Sequence, residues 1–153
     1  MYFSIEHDAL EAVDVLAGIN HRMNDLTPAF REVGTIVERS VRRNFLESRG
    51  PGGDPWAPLK SRPKGRTKPL IKSGTLMNSI RSEADTREVR LETNVVYAAI
   101  HQFGGRAGRN NRATIPARPF LGVRDEDWTL IERAVCEHIG QEISSSCTPP
   151  LKP

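Results

Sequence analysis

Apolar residues recur at helical spacing in three stretches of the chain and alternate with polar ones in a fourth. The first stretch runs from Asp8 to Asn20, with Leu10, Val13, Leu16 and Ala17 on one face and Gly18 weakening its end. The second is stronger: Phe30, Val33, Val37, Val41 and Phe45 form one stripe, and Arg31, Glu38, Arg39, Arg42 and Arg43 fill much of the remainder. Thr27 is expected to cap this helix, Pro28 fits its first turn, and it ends near Leu46. The third runs from Asp125 to about Ile143, with Trp128, Ile131, Val135 and Ile139 on one side and Asp125 to Asp127 near the positive end of its dipole.

Between the helices the period changes. Ile80 to Asp85 and Arg87 to Thr93 read as strands around a turn at Asp85-Thr86; Val89 and Leu91 face inward, and Glu88, Arg90 and Glu92 face water. Ser73-Gly-Thr75 opens a short helical turn through Leu76 and Ile80. Tyr97 to His101 forms another, stopped by Gly104-Gly105. Tyr97, Ile100 and His101 are expected to pack the body. Ile115 to Val123 is extended, with Pro116 and Pro119 marking an edge or irregular strand. Helices first, then a small antiparallel sheet with long loops, then a closing helix make an α+β fold. One domain over residues 1–143 follows, and Ser144 to Pro153 reads as a disordered tail.

Two stretches resist regular structure. From Ser48 to Pro69, nine glycines and prolines argue against helix or central strand, leaving a loop longer than compact domains usually carry. Arg106 to Arg112 reads as a second, basic loop. The charge is correspondingly uneven. The net is only +3, yet Arg39 to Lys72 carries ten Lys/Arg against Glu47 and Asp54, so that stretch holds +8 and the rest −5. Arg62, Lys64, Arg66, Lys68, Arg106, Arg109 and Arg112 could meet phosphates or an acidic neighbour. No recognition helix or aromatic platform accompanies them, so any DNA contact would be non-specific.

A chain of 153 residues, 37% apolar, can bury a core without disulfides. Cys136 and Cys147 are simplest as free thiols. No signal peptide or membrane-spanning run is read in the sequence, so no membrane partner is expected. Metal and cofactor are not expected either. Cys136 and His138 lie two apart on a helix and diverge, and no phosphate-cradling loop or nucleophile elbow is present. His101 could serve as a general base with Glu92 or Asp85 as orienter, in a small nuclease. Its surroundings are apolar and basic rather than acidic, which favours a structural histidine and no catalysis.

Four segments together resemble the phage virion morphogenesis family, also called the tail completion protein S family. They are Gly50-Pro-Gly-Gly-Asp-Pro-Trp-Ala-Pro-Leu59, Leu70-Ile-Lys-Ser-Gly-Thr-Leu-Met-Asn-Ser-Ile80, Tyr97-Ala-Ala-Ile-His-Gln-Phe-Gly-Gly105 and Ile115-Pro-Ala-Arg-Pro-Phe-Leu-Gly122. The resemblance spans about Phe30 to Ile139 and implies a small non-enzymatic component of the neck or tail end, which joins heads to tails or completes the tail. It further implies a homo-oligomeric ring, expected to be a hexamer, beside neck, connector or tail-tube proteins. Such a chain would occupy the host cytoplasm during assembly and the virion afterwards.

In a ring subunit, Trp56, Leu59 and Phe120 on Pro/Gly-rich arms are expected to order on a neighbour, and Arg118 to meet a carboxylate of the next subunit or lie exposed on an edge. Two other readings stay open: a head-assembly factor absent from the mature virion, and a DNA-binding protein or nuclease using the basic loops.

Overall fold

The computed structural model describes residues 9–59 and 68–145. Arg62, Lys64, Arg66 and Cys147 lie outside these residues, as does the expected tail from residue 146 onward. The order of elements is α1 (Ala9–Asn24), α2 (Thr27–Glu47), α3 (Thr75–Ser79), β1 (Arg81–Ala84), β2 (Val89–Glu92), α4 (Ala98–Phe103), β3 (Gly105–Ala107), a single 3-10 turn (Arg109–Asn111), β4 (Ala113–Ile115) and α5 (Asp125–Ser145). The fold is α+β, with helices at both ends and two short antiparallel hairpins between them.

The long helix α2 organises the rest. It packs against α5 on one side and the β1–β2 hairpin on another, while α1 lies on α5. Its buried face holds Ala29, Val33, Gly34, Ile36, Val37, Ser40, Val41, Asn44 and Phe45. That face keeps the apolar stripe from Val33 to Phe45; Phe30 is only half-buried. The helix starts one residue earlier than a Thr27 cap would allow. Leu26 holds the cap position, and the Asp25 carboxylate accepts the Thr27 N–H at 3.0 Å. At the other end Ser48 is left-handed (φ 55°), and the Ser48 and Arg49 N–H groups return to the carbonyls of Phe45 and Asn44 at 3.2 and 3.1 Å.

The β1–β2 register pairs Ser82 with Leu91 and Ala84 with Val89, so Val89 and Leu91 pack against the core, as their alternation predicts. The hairpin approaches α2 closely because residue 34 is glycine: a Cβ there would lie 2.6 Å from Ser82 Oγ and 2.9 Å from its Cβ. Ser82 has little freedom to yield, since its N–H and hydroxyl both donate to Glu38 Oε1, at 2.5 and 2.7 Å.

Two expectations are corrected here. The stretch Arg106 to Arg112 is a hairpin, Gly105 pairing with Ile115 and Ala107 with Ala113, rather than an open loop. Its reversal uses left-handed Asn110 and Asn111 (φ 58° and 54°) after Gly108 at φ 79°. On α5 the inward residues are Asp127 and Ala134, with Ile131 and Val135 half-buried, while Trp128 is 51% exposed. The buried position goes to a charge because Arg43 Nη2 donates to Asp127 Oδ1 at 2.7 Å and Nη1 pairs with Glu126. That anchor turns Trp128 outward.

Gly34→Val should lower the stability of the subunit by about 1–3 kcal/mol, read from the urea midpoint, through overpacking against the Ser82–Glu38 contact. An unchanged midpoint would show that the helix and hairpin are not held at this spacing.

Candidate functional site

The end of α2 collects three segments distant in sequence. A tight turn, with Gly53 N–H to Gly50 O at 2.9 Å and Gly50 N–H to Asp54 O at 2.8 Å, folds the chain back so that Trp56 N–H reaches Ser48 O at 2.8 Å. The Trp56 ring then meets Phe45 edge-on at 5.6 Å between centroids, and its Nε1–H donates to Pro119 O at 2.8 Å. Phe120 closes the other side, 5.1 Å from Phe45, and is fully buried. The expectation that Trp56 and Phe120 sit on arms awaiting a neighbour is therefore corrected: both rings are satisfied inside their own subunit. Leu59, at the end of the same segment, is half-buried.

The segment after β4 has no strand partner at Phe120, and side chains supply the pairing instead. Gln102 Oε1 accepts the Phe120 and Leu121 N–H groups at 2.9 and 3.0 Å. Asn44 Nδ2 donates to Phe120 O at 3.0 Å, and its Oδ1 accepts from Arg124 Nε at 2.8 Å. Gln102 and Asn44 were not candidates from the sequence, although a polar residue beside Phe45 on an apolar stripe is the kind of signal that marks such a clasp.

This clasp brings Arg118 to the edge of a cavity. Its N–H donates to His101 O at 2.7 Å, so the expected exposed edge arginine is 94% buried instead. Its Nε and Nη2 donate to Ala57 O at 2.9 Å and Pro58 O at 3.3 Å. Among the described residues no carboxylate pairs with it. The cavity, of about 380 Å³, is walled by Leu59, Lys68, the 70–76 segment, Tyr97, His101 and Arg118, with no acidic residue among them. Tyr97 stands edge-on to His101 at 5.8 Å and is 47% exposed, so its expected place in the core is corrected to the rim. His101 Nδ1 is buried and takes no hydrogen bond among the described residues. Burial, and after it the charge of Arg118, hold the imidazole below its ordinary 6.5, and burial also pushes the Arg118 guanidinium below its ordinary value.

The nuclease geometry is not assembled. Asp85 caps its own turn, accepting the Arg87 and Glu88 N–H groups at 2.7 and 3.0 Å, and Glu92 lines a separate cleft with Ser79 and Arg81. Neither faces the His101 cavity. No cluster of ligating side chains suited to a metal ion occurs among the described residues. The basic candidates also separate. Lys68 lies at the cavity, its Nζ donating to Leu46 O at 2.5 Å, whereas Arg106, Arg109 and Arg112 are exposed on the β3–β4 hairpin. No helix among the described residues is long and apolar enough to cross a membrane.

Two tests follow. Trp56→Ala should cost the isolated subunit about 3–5 kcal/mol, as truncation of a buried aromatic does; a loss under 1 kcal/mol by urea unfolding would return Trp56 to the surface. A histidine with a depressed folded value binds its proton more readily in the unfolded chain. Its contribution to stability is thus present above about 6.5 and is lost as pH falls below that value. His101→Gln should flatten the fall in stability between about pH 7 and about pH 5 relative to the parent. Parallel pH profiles would mean that the imidazole titrates alike folded and unfolded.

The phage virion morphogenesis family matches residues 7–140. Among relatives, Mu-like prophage FluMu G protein 2 of Haemophilus influenzae is 38% identical over 122 residues, 79% of this chain and 83% of that protein. Tail completion protein S of Escherichia phage P2 is 29% identical over 143 residues, 82% of this chain and 93% of that protein. No solved structure matches. With nearly the whole described fold inside that match, the chain belongs to the phage virion morphogenesis family.

Proposed function

We propose that the chain is a structural, non-enzymatic protein that completes the neck or tail end of a tailed phage by assembling into a ring of identical copies, six in number. The observation that carries this is the family match over residues 7–140, together with a relative named for tail completion. The surface supports it. Val96 is 97% exposed, Phe103 is 79% exposed, and half-exposed Tyr97 lies between them in sequence, around α4. Large apolar side chains left in water so near one another along the chain are typical of a surface that another protein covers. The neighbours expected for such a ring are neck, connector or tail-tube proteins, with the exposed arginines of the β3–β4 hairpin available to acidic surface or packaged DNA.

A ring closes only when each copy makes the same heterologous contact with the next, which favours a body of fixed shape. The aromatic clasp meets that requirement: it satisfies Trp56 and Phe120 within one copy. The ring contact must then use other side chains.

Quantitative mass spectrometry of purified virions should find about six copies per particle, and electron microscopy should place them at the neck or tail end. Absence from finished particles would defeat this reading in favour of a head-assembly factor. Val96→Ser with Phe103→Ser should leave stability within about 0.5 kcal/mol of the parent while reducing incorporation into particles.

A further inference from the structure

The Arg118 cavity gathers cations and, among the described residues, no anion. A guanidinium that is 94% buried ordinarily faces a carboxylate, because two carbonyl oxygens do not neutralise its charge. Lys68 and Lys72 add to the same wall, and His101 Nδ1 waits beside it unpartnered. The residues that join Leu59 to Lys68 in sequence include no Asp or Glu, so they cannot supply the missing charge. Leu59, Leu70, Ile71, Leu76 and Tyr97 add apolar wall, beside the hydroxyls of Ser73 and Thr75. The chemistry that fits is a carboxylate carried next to a large apolar side chain, and the volume of about 380 Å³ lies in the range of about 300–1,000 Å³ typical of sites that enclose a ligand group.

The same chain displays that chemistry elsewhere. Residues 125–145 hold six acidic residues against Arg133, a net of −5. Glu126 and Asp127 are taken by Arg43, and Glu137 by Arg133. Asp125 and Glu132 are exposed and take no ion pair among the described residues. At 100° per residue they share one face of α5 with Trp128, which is three residues after the first and four before the second. Helix α5 packs on α1 and α2, and none of its residues lines the cavity.

We propose that the Arg118 cavity is the receiving half of a head-to-tail joint between copies of this chain, and that the α5 face carrying Asp125, Trp128 and Glu132 is the half it receives. The occupant is a second copy, argued from charge: the cationic stretch and the acidic helix are complementary and belong to different faces of the fold. Because the two halves differ, the joint is heterologous and propagates from copy to copy, which a ring needs. An exposed tryptophan flanked by carboxylates is the type of side chain that dominates such contacts. This inference rests on the assembly reading above and adds to it which surfaces meet.

The test uses two full-length variants, neither touching the core. The receiving variant is Lys72→Glu, and the inserting variant is Trp128→Ala with Glu132→Gln. Both should keep the parent's thermal midpoint. In sedimentation velocity at low salt the parent should self-associate, and each variant alone should do so about tenfold or more weakly. An equimolar mixture should form dimers and stop there, because each pair retains one intact joint. If both variants associate like the parent, or if the mixture gives no dimer, this joint is wrong while the assembly reading stands. If the parent itself neither associates nor enters particles, the assembly reading fails and takes this inference with it.

Discussion

Phe45 lies where α2 ends, and the rest of the molecule is arranged around what its ring touches. Trp56 arrives from a glycine-rich turn, Phe120 from an extended segment without strand partners, and both close on it. Backbone bonds from Gly50 N–H to Asp54 O and from Trp56 N–H to Ser48 O close the first segment on the end of α2, but no ladder joins the two segments to each other. Side chains hold them instead: the Trp56 indole on Pro119 O, Asn44 on Phe120 O, and Gln102 on the Phe120 and Leu121 N–H groups. Buried polar groups of this kind rigidify when every partner is present and cost heavily when one is lost. The order of the surface around α4 and the 56–59 segment therefore depends on one aromatic cluster and a few amide groups.

That constraint separates what the subunit does for itself from what it offers to others. With Trp56 and Phe120 committed inward, the groups left for contact include the α4 apolars, Trp128 on α5 and the cationic cavity that Arg118 backs. Arg118 links the two sets. Its backbone and two of its guanidinium nitrogens are fixed by the clasp, through His101 O, Ala57 O and Pro58 O, while its charge faces a cavity without an anion. A rigid framework thereby holds an unneutralised charge in place, as preorganised binding sites do.

Much of the architecture was legible in the amino-acid pattern. The helices α2 and α5 and the inward alternation of Val89 and Leu91 follow from spacing alone, because burial on one face repeats at the period of the element. The family resemblance was legible too, through segments that turn out to build the clasp and the cavity wall. The misreadings share a cause. Trp56 in a Pro/Gly stretch looks like a loop tip, yet a reversal between Gly50 and Asp54 returns it to the core. Trp128 fits an apolar stripe on α5, but the Arg43–Asp127 pair draws Asp127 inward beside Ile131 and Ala134 and leaves the indole half exposed. Arg106 to Arg112 looks unstructured until Asn110 and Asn111 adopt left-handed conformations. Periodicity registers hydrophobic burial; it does not register a buried ion pair, a tight reversal or a carbonyl waiting for an indole.

On the proposal made above, the subunit carries a cationic cavity that the next copy fills. A high-resolution cryo-electron microscopy map of the assembled ring tests it most directly. Density for a neighbouring copy's acidic side chain should lie within ion-pair distance of Arg118 or Lys72, with the Trp56 and Phe120 rings still closed on Phe45. A map in which those rings swing out to the neighbour, or in which the cavity holds only solvent, would contradict it.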